Sequence, residues 1–327
     1  MLCIQNKYTD PYFNLAAEEY VLKNFKDNCF LLYRNKPAII VGKHQNTLAE
    51  INYEYVKEQK IDVIRRLSGG GTVFHDLGNL NFTFIQNVEN KENIVDFKKY
   101  TKPIIEVLQK LGVDAKFEGR NDIMIKGKKI SGNAEHIFKD RVLHHGTLLF
   151  SSKIQDLSLA LKVNPLTYSD KGVKSVRSRV TNISEHLTEK IDITDFQNEI
   201  LSSILKSNSN ANLYQYSKKD IEQINKLVND KYSTWKWNFA YSPKYSFEKI
   251  VETKFGSLEI QISVEKGCIS KIFVLSDIIS ENQINYIQDS LIGIEHEENL
   301  IRKTLQKLFS SKDHYQISVD DFILAIF

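Results

Sequence analysis

Cysteine is scarce. Cys3, Cys29 and Cys268 are an odd number with no metal-ligand spacing, so neither a disulfide framework nor a zinc site is supported, and a reducing compartment fits. No apolar run approaches the ~20 residues of a membrane span, and the chain opens with neither the basic-then-apolar order of a signal peptide nor an Arg/Ser-rich transit segment. A cytoplasmic protein with no membrane attachment is the expectation. An excess of one charge is missing too. With 44 Lys+Arg against 41 Asp+Glu the net charge is +3, too balanced for a nucleic-acid footprint, and no nucleic-acid motif is present. No repeat, heptad or long low-complexity tract occurs. The standard P-loop is absent, because Gly42-Lys43 is followed by His44 and Pro37 stands where the upstream glycine belongs. No G-x-G-x-x-G joins a strand to a helix, so a doubly wound nucleotide fold is not expected.

What is present suits a soluble chain with a real core: 42% hydrophobic and 26% charged residues over a length of about two domains. Asp10-Pro11 opens a helix, since Asp caps free amides and Pro has none to lose, and Phe13, Ala16, Ala17, Tyr20 and Val21 share one apolar face. Short β-type runs follow at Cys29 to Tyr33, Ala38 to Val41, Ile61 to Ile64 and Asn81 to Ile85. A helix ends near Leu111, with Gly112 as its cap. Asp122 to Ile125 and Lys128 to Ser131 form a hairpin about Lys126-Gly127, and His144 to Phe150 is a further strand. Hairpins mixed with helices give an α+β fold. The chain turns polar over Ser202 to Lys219. A boundary near 245 leaves residues 1–245 as a large domain and 246–327 as a small α+β domain of three strands and a helix through Ile301, Leu305 and Leu308.

The sharpest local feature is Arg65 to Asn79, RRLSGGGTVFHDLGN. Three consecutive glycines are entropically costly to order, but they let backbone amides approach an anion, and Arg65 or Arg66 can supply charge-assisted bonds to phosphate or carboxylate. The plain alternative is a flexible hairpin. On the second hairpin strand, alternation sets Lys129 opposite Lys128 and Ile130, so one lysine points inward and needs a negative partner, although an exposed lysine is the commoner outcome on a strand. Asp122 either holds Mg²⁺ or caps a turn. His144 and His145, as strand neighbours, face opposite ways and do not share a metal; one packs under the sheet and the other faces a pocket. The basic segment Gly172 to Thr181, GVKSVRSRVT, is a solvated loop or a lid over an anionic ligand.

Taken together and in order, RRLSGGGTVFHDLGN, NDIMIKGKKISG, HHGTLLF and KGVKSVRSRVTN resemble the lipoate-protein ligase family over nearly the whole chain. The resemblance implies a large domain related to the biotin-ligase catalytic fold, mixed sheets with packed helices, plus the small C-terminal accessory domain of two-domain bacterial members. It implies ATP and Mg²⁺ as cofactors and lipoate as substrate: lipoate is activated to lipoyl-AMP, and the acyl group then passes to a lysine of an apo lipoyl domain. The acceptors would be 2-oxoacid dehydrogenase E2 subunits and glycine-cleavage H protein. Motif matching gives Arg66 and Gly71, Thr72, Val73 and Phe74 to the nucleotide, and sets Ser68 and His75 near the mixed anhydride. Lys129, the lysine of the family's KISG motif, would be the central catalytic residue, touching both the acid's carboxylate and the α-phosphate. Asp122 would lie near metal and phosphates. Lys174 and Arg177 would belong to the adenylate loop, and Gly70, Asn79 and His145 complete the binding set.

These residue types suit the chemistry, because joining a carboxylate to an α-phosphate brings two anions together and a fixed cation offsets their repulsion. An apolar tunnel is needed for the acyl chain, with Val73 and Ile130 as candidates. An octanoyltransferase would need a thioester cysteine, but Asn164-Pro165-Leu166 stands where related transferases carry it, and no cysteine lies between Cys29 and Cys268. A lipoate-binding protein, or one that activates the acid without transferring it, would carry almost the same motifs.

Overall fold

The computed structural model of the chain describes residues 1–88, 94–161, 167–176, 178–310 and 316–327. Its largest sheet has eight strands in the order Asn212–Leu213, Leu2–Gln5, Cys29–Arg34, Asn79–Asn87, Arg141–Leu149, Lys128–Phe138, Asp122–Ile125 and Ala115–Glu118. The first three run parallel and every later pair is antiparallel. The hairpin expected at Lys126-Gly127 is there, with both residues at positive φ (48° and 72°), as a two-residue turn of this hand requires. Its second strand runs on to Phe138, well past Ser131, because the neighbouring strand supplies the ladder where the apolar alternation lapses. A register shift sets Ile123 opposite Ser131 but Met124 opposite Lys129, and a bulge of this kind re-aims the side chains around it.

Helix Pro11–Asn24 begins as its sequence dictates, with the Asp10 carboxylate accepting from Phe13 N (2.9 Å). It packs Val21 and Leu22 against Ile4, Leu31 and Leu143 on one face of the sheet. Helices Phe97–Lys110 and Ile193–Ser207 cover the other face, burying Ile104, Leu108, Phe196 and Ile200 against Phe30, Phe82 and Phe84. The polar stretch 202–219 begins as the end of the second of these helices, up to Ser207, its apolar side committed to this core through Ile204, and the next helix starts at Lys218.

A second sheet, Asp62–Arg65, Ala38–Val41 and Val73–His75, carries the glycine cluster between its first and last strands. A third is antiparallel, Tyr168–Asp170, Tyr245–Thr253, Gly256–Glu265 and Cys268–Ser276. Helices Glu281–Leu291, Glu298–Phe309 and Val319–Ile326 pack on it, and its core also takes in Ile39, Val41 and Phe74 of the second sheet. Inside this core His296 accepts from Tyr245 OH at Nδ1 (2.6 Å) and donates from Nε2 to Ile326 O (2.9 Å), stacked on Phe327. The outermost strand, Tyr168–Asp170, arrives from much earlier in the chain and leads directly into the basic loop.

Strand alternation separates the two adjacent arginines. Arg65 turns away from the glycine loop and is fully buried, with no carboxylate partner among the described residues. Its guanidinium donates to the carbonyls of Gly42, Lys43 and Gln45 (2.8–3.0 Å), to those of Trp237 and Asn238 (3.1 Å each), and to Thr47 Oγ1 (2.6 Å) and Ser242 Oγ (3.0 Å). It thus staples segment 42–47, which supports the glycine loop, to segment 237–242, which leads into the third sheet. Arg65→Met would strand these acceptors in a dry interior and should lower stability by about 3–5 kcal/mol, read as a fall in the urea midpoint. Arg65→Lys, with fewer donors, should fall between the two.

Candidate functional site

Two cavities of about 730 Å³ and 460 Å³ lie side by side against the glycine loop. Thr72, Val73, Lys129, Gly132, Thr147 and Lys174 line both. The larger is walled by Phe74, Leu149, Leu161, Tyr168 and Val180, with Glu50 at its edge. The smaller runs past Gly70, Arg66, His75 and His145 to Leu15, Tyr33, Ile40 and Asn81.

Lys129 stands at the junction. Its ammonium lies 2.9 Å from Asp122 Oδ1, an ion pair outside hydrogen-bond geometry, and that carboxylate oxygen has no hydrogen-bond partner among the described residues. The lysine side chain runs forward along its own strand: a Cβ on Gly132 would stand only 3.0 Å from its Nζ, so glycine leaves the space the ammonium occupies. Ile130, an expected tunnel residue, is fully buried in the core beneath the sheet and lines neither cavity, whereas Val73 lines both.

Arg66 lines the smaller cavity, yet most of its donors serve the loop itself: Nε to Ser68 Oγ (3.1 Å), Nη1 to Ile40 O (3.0 Å), and Nη2 to Gly69 O and Gly71 O (2.6 and 2.7 Å). The loop is pressed on Gly42, where an added Cβ would sit 2.0 Å from Gly70 O, and Gly70 takes a φ of +89°. The three glycines are thus held in one conformation.

The basic loop closes over both cavities and is tied at several points. Lys129 N donates to Arg179 O (2.8 Å) and Thr181 N to Lys129 O (3.1 Å). Ser175 Oγ accepts from Thr72 N (2.8 Å) and Gln45 Nε2 (3.1 Å) and donates to Glu50 Oε2. Burial raises the Glu50 carboxyl above its ordinary range, against the opposing effect of the Ser175 bond. Gln45 also accepts from Thr72 Oγ1 and Gly42 N (2.9 Å each). Lys174 pairs with Asp170 (2.6 Å), and Arg177 lies outside the described residues, as does Asn164–Leu166.

The two histidines part as strand alternation demands. His144 is fully buried beneath the sheet, stacked on Tyr100, with Nδ1 2.9 Å from Glu135 Oε1. His145 lines the smaller cavity and joins Ser68 Oγ (Nε2, 2.6 Å) to Glu18 Oε2 (Nδ1, 2.9 Å). Glu18 further accepts from Tyr33 OH (3.0 Å) and Thr83 Oγ1; burial raises its carboxyl, but His145 beside it, together with these two bonds, outweighs burial and holds the carboxyl below the usual range. Ser68 and Asn79 line neither cavity; Asn79 is fully buried and donates to Asn81 Oδ1 (2.9 Å). Sequence reasoning missed Glu18, Gln45, Glu50 and Ser175. The one signal for Glu18 was an acidic pair, Glu18-Glu19, on a helix with an apolar face.

Burial, with the charge of Arg66 beside it, pushes the His75 imidazole down to about 3, and burial takes His296 to about 4. Both are neutral when folded, while the unfolded chain takes up their protons near pH 6.5, so stability is whole above that pH and drains as pH falls toward 4. From pH 7 to pH 5 the two should remove roughly 4 kcal/mol from the urea-unfolding free energy. His296→Gln should remove its half of that contribution, leaving the losses from His75 and from His136 and His144, which burial also depresses.

Residues 10–205 match the family model described as the lipoyl protein ligase A/B catalytic domain, and residues 242–326 the one described as the bacterial lipoate protein ligase C-terminus. The chain is 42% identical to lipoate–protein ligase 1 of Staphylococcus aureus over 319 residues (95% of this chain, 97% of that protein). It is 41% identical to lipoate-protein ligase LplJ of Bacillus subtilis over the full length of both. Among solved structures it resembles P. falciparum LipL1 in complex with lipoate (TM-score 0.63, 25% identity, 99% of this chain and 96% of that one). It also resembles a lipoate-protein ligase A bound with ATP (0.62, 25%, 73% and 97%). A third likeness is to the bipartite ligase of Thermoplasma acidophilum, studied with its E2 lipoyl domain (0.62, 25%, 73% and 95%). With its glycine loop, junction lysine and C-terminal part all in place, the chain belongs to the lipoate-protein ligase family and is an enzyme of that class.

Proposed function

We propose that this ligase joins lipoate to ATP, releasing pyrophosphate, and then passes the lipoyl group from lipoyl-AMP to a lysine amine of an apo lipoyl domain, releasing AMP. The observation that carries the reading is Lys129, a cation lining both cavities at their junction. The larger cavity suits the bulkier nucleotide, with Phe74 and Tyr168 as flat surfaces for a base, and the smaller one suits the acyl chain. At the junction the Lys129 ammonium neutralises the carboxylate and the α-phosphate as they meet, and it stabilises the charge that builds on the phosphate oxygens in the transition state. Lys129 acts through its charge and forms no covalent bond.

Asp122 fits Mg²⁺: its Oδ1 is a buried acceptor without a hydrogen-bond partner, and Mg²⁺ is commonly held by one or two carboxylates together with substrate phosphates. When bound, the ion would neutralise the leaving pyrophosphate. The glycine loop borders the junction, where the α-phosphate would lie, and Lys174, released from Asp170, reaches the adenylate. The closed basic loop keeps water from the anhydride until an unprotonated lysine amine attacks its carbonyl. That step forms the amide, expels AMP and gives up a proton.

Residues 1–245 form the catalytic part and 246–327 the accessory part in this reading. The acceptors are lipoyl domains of 2-oxoacid dehydrogenase E2 subunits and glycine-cleavage H protein, met in the cytoplasm. No helix among the described residues is long and apolar enough to cross a membrane.

Mass spectrometry of an apo lipoyl domain incubated with the protein, lipoate and Mg-ATP should show one lipoyl addition that requires ATP, with pyrophosphate released alongside. Pyrophosphate without a modified domain would restrict the activity to activation. Lys129→Ala should lower pyrophosphate release by 10²-fold or more while leaving the urea midpoint within about 1 kcal/mol of wild type. Normal adenylation by that variant would remove the role given to the lysine.

A further inference from the structure

The smaller cavity lies across the sheet. Tyr33 pairs with Asn81 and Asn81 with Thr147 on neighbouring strands, and Thr147 Oγ1 accepts from Gly132 N (3.3 Å), the residue over which the Lys129 ammonium rests. From Gly132 to Tyr33 is three strand spacings, about 14 Å. An acid whose carboxylate meets Lys129 therefore lays its far end beside Tyr33 and Asn81.

Polar groups at that far end mostly satisfy one another. Tyr33 OH and His145 Nδ1 are engaged with Glu18, His145 Nε2 with Ser68, and Asn81 Oδ1 with Asn79. His75 differs. Its proton is placed by a chain of buried asparagines that starts at the backbone. Tyr8 N donates to Asn6 Oδ1 (3.1 Å), so Asn6 Nδ2 faces and donates to Asn14 Oδ1 (2.6 Å). Asn14 Nδ2 then donates to Asn35 Oδ1 (2.8 Å) and to the carbonyls of Tyr8 and Arg34, and Asn35 Nδ2 donates to His75 Nδ1 (3.0 Å). Nδ1 is thereby fixed as the acceptor, and the proton sits on Nε2. His75 lines the cavity, is 4% exposed, and its Nε2 has no partner among the described residues. A relay of three asparagines thus orients a single buried N–H that no described residue pairs.

Resting on the proposed function, we infer that His75 is the residue that selects a sulfur-bearing acyl tail, its Nε2–H donating to a dithiolane sulfur of lipoate, and that a saturated acid of the same chain length is disfavoured because it leaves this donor buried and unpaired. Sulfur is a weak acceptor, but a buried N–H facing a methyl group forfeits even that bond. Because this N–H is already buried without a partner among the described residues, the discrimination is the bond that lipoate adds and octanoate does not. His75 acts here through contact with the substrate tail, away from the reacting carboxylate.

The test measures kcat/KM for lipoate and for octanoate, with Mg-ATP and an apo lipoyl domain, on wild type, His75→Phe and His75→Gln. Wild type should favour lipoate; His75→Phe should reduce the lipoate-to-octanoate ratio about tenfold, chiefly through KM for lipoate, and His75→Gln, which keeps an N–H donor, should restore much of it. Equal losses for both acids in His75→Phe would overturn the inference, since they would mean a structural role or a bond to the carboxyl end. A wild type inactive with both acids would instead defeat the proposed function, and the inference with it. A second measurement needs no variant: in ¹⁵N-histidine protein the His75 Nε2–H resonance should shift with bound lipoate and stay near its free position with bound octanoate. The same shift for both acids would also overturn the inference.

Discussion

The rest of the site depends on a buried cation with no anion beside it among the described residues. Arg65 is held by backbone carbonyls and two hydroxyls, and because a guanidinium is planar with five N–H donors, it fixes the directions of the chain segments it gathers as well as their positions. Segment 42–47 is one of these. From it Gly42 underlies the glycine loop and Gln45 reaches both Thr72 and the basic loop, so both loops inherit their placement from an arginine that lines neither cavity. Burial lowers the Arg65 pKa only to about 10, which leaves the charge intact in ordinary buffers.

The neighbouring arginine repeats the arrangement on the opposite face. Arg66 closes on Gly69 O and Gly71 O and on Ser68, which His145 joins to Glu18. A loop of three glycines, entropically expensive to order, is thus pinned from below by one guanidinium's framework and from within by another. Binding of an anion therefore selects among few loop conformations, which is the physical content of preorganisation.

Much of this was legible in the sequence because strand alternation sorts adjacent residues. The split between His144 and His145, the hairpin about Lys126-Gly127, and the helix opening at Asp10-Pro11 all follow from local rules. So did the α+β class and the four motifs that carry the family. Other features were hidden for identifiable reasons. Glu18 sits on a helix whose hydrophobic periodicity gives no hint that a carboxylate is buried; only the Tyr33, Thr83 and His145 partners, brought from three different strands, make that burial affordable. Gln45, Glu50 and Ser175 are common residue types whose meaning comes from contacts more than a hundred residues apart. Ile130 looked like a tunnel wall from its place beside Lys129, but the same alternation that faces the lysine inward turns Ile130 into the core. The extra strand of the third sheet, Tyr168–Asp170, is too short for any periodicity to announce it.

That short strand fixes one end of the basic loop to Tyr245–Phe247, and the ladder to Lys129 fixes the other near Val180. Between them Ser175 is moored to Thr72. A free lid of this length would surrender about 1–2 kcal/mol of backbone entropy for each residue brought to order, and it would do so at the moment of ligand binding. Here the described residues of the loop are divided into two short spans between fixed posts, so most of that entropy is lost when the chain folds. The same ties join the third sheet to the strand that carries Lys129, so the accessory sheet and the junction lysine share one framework.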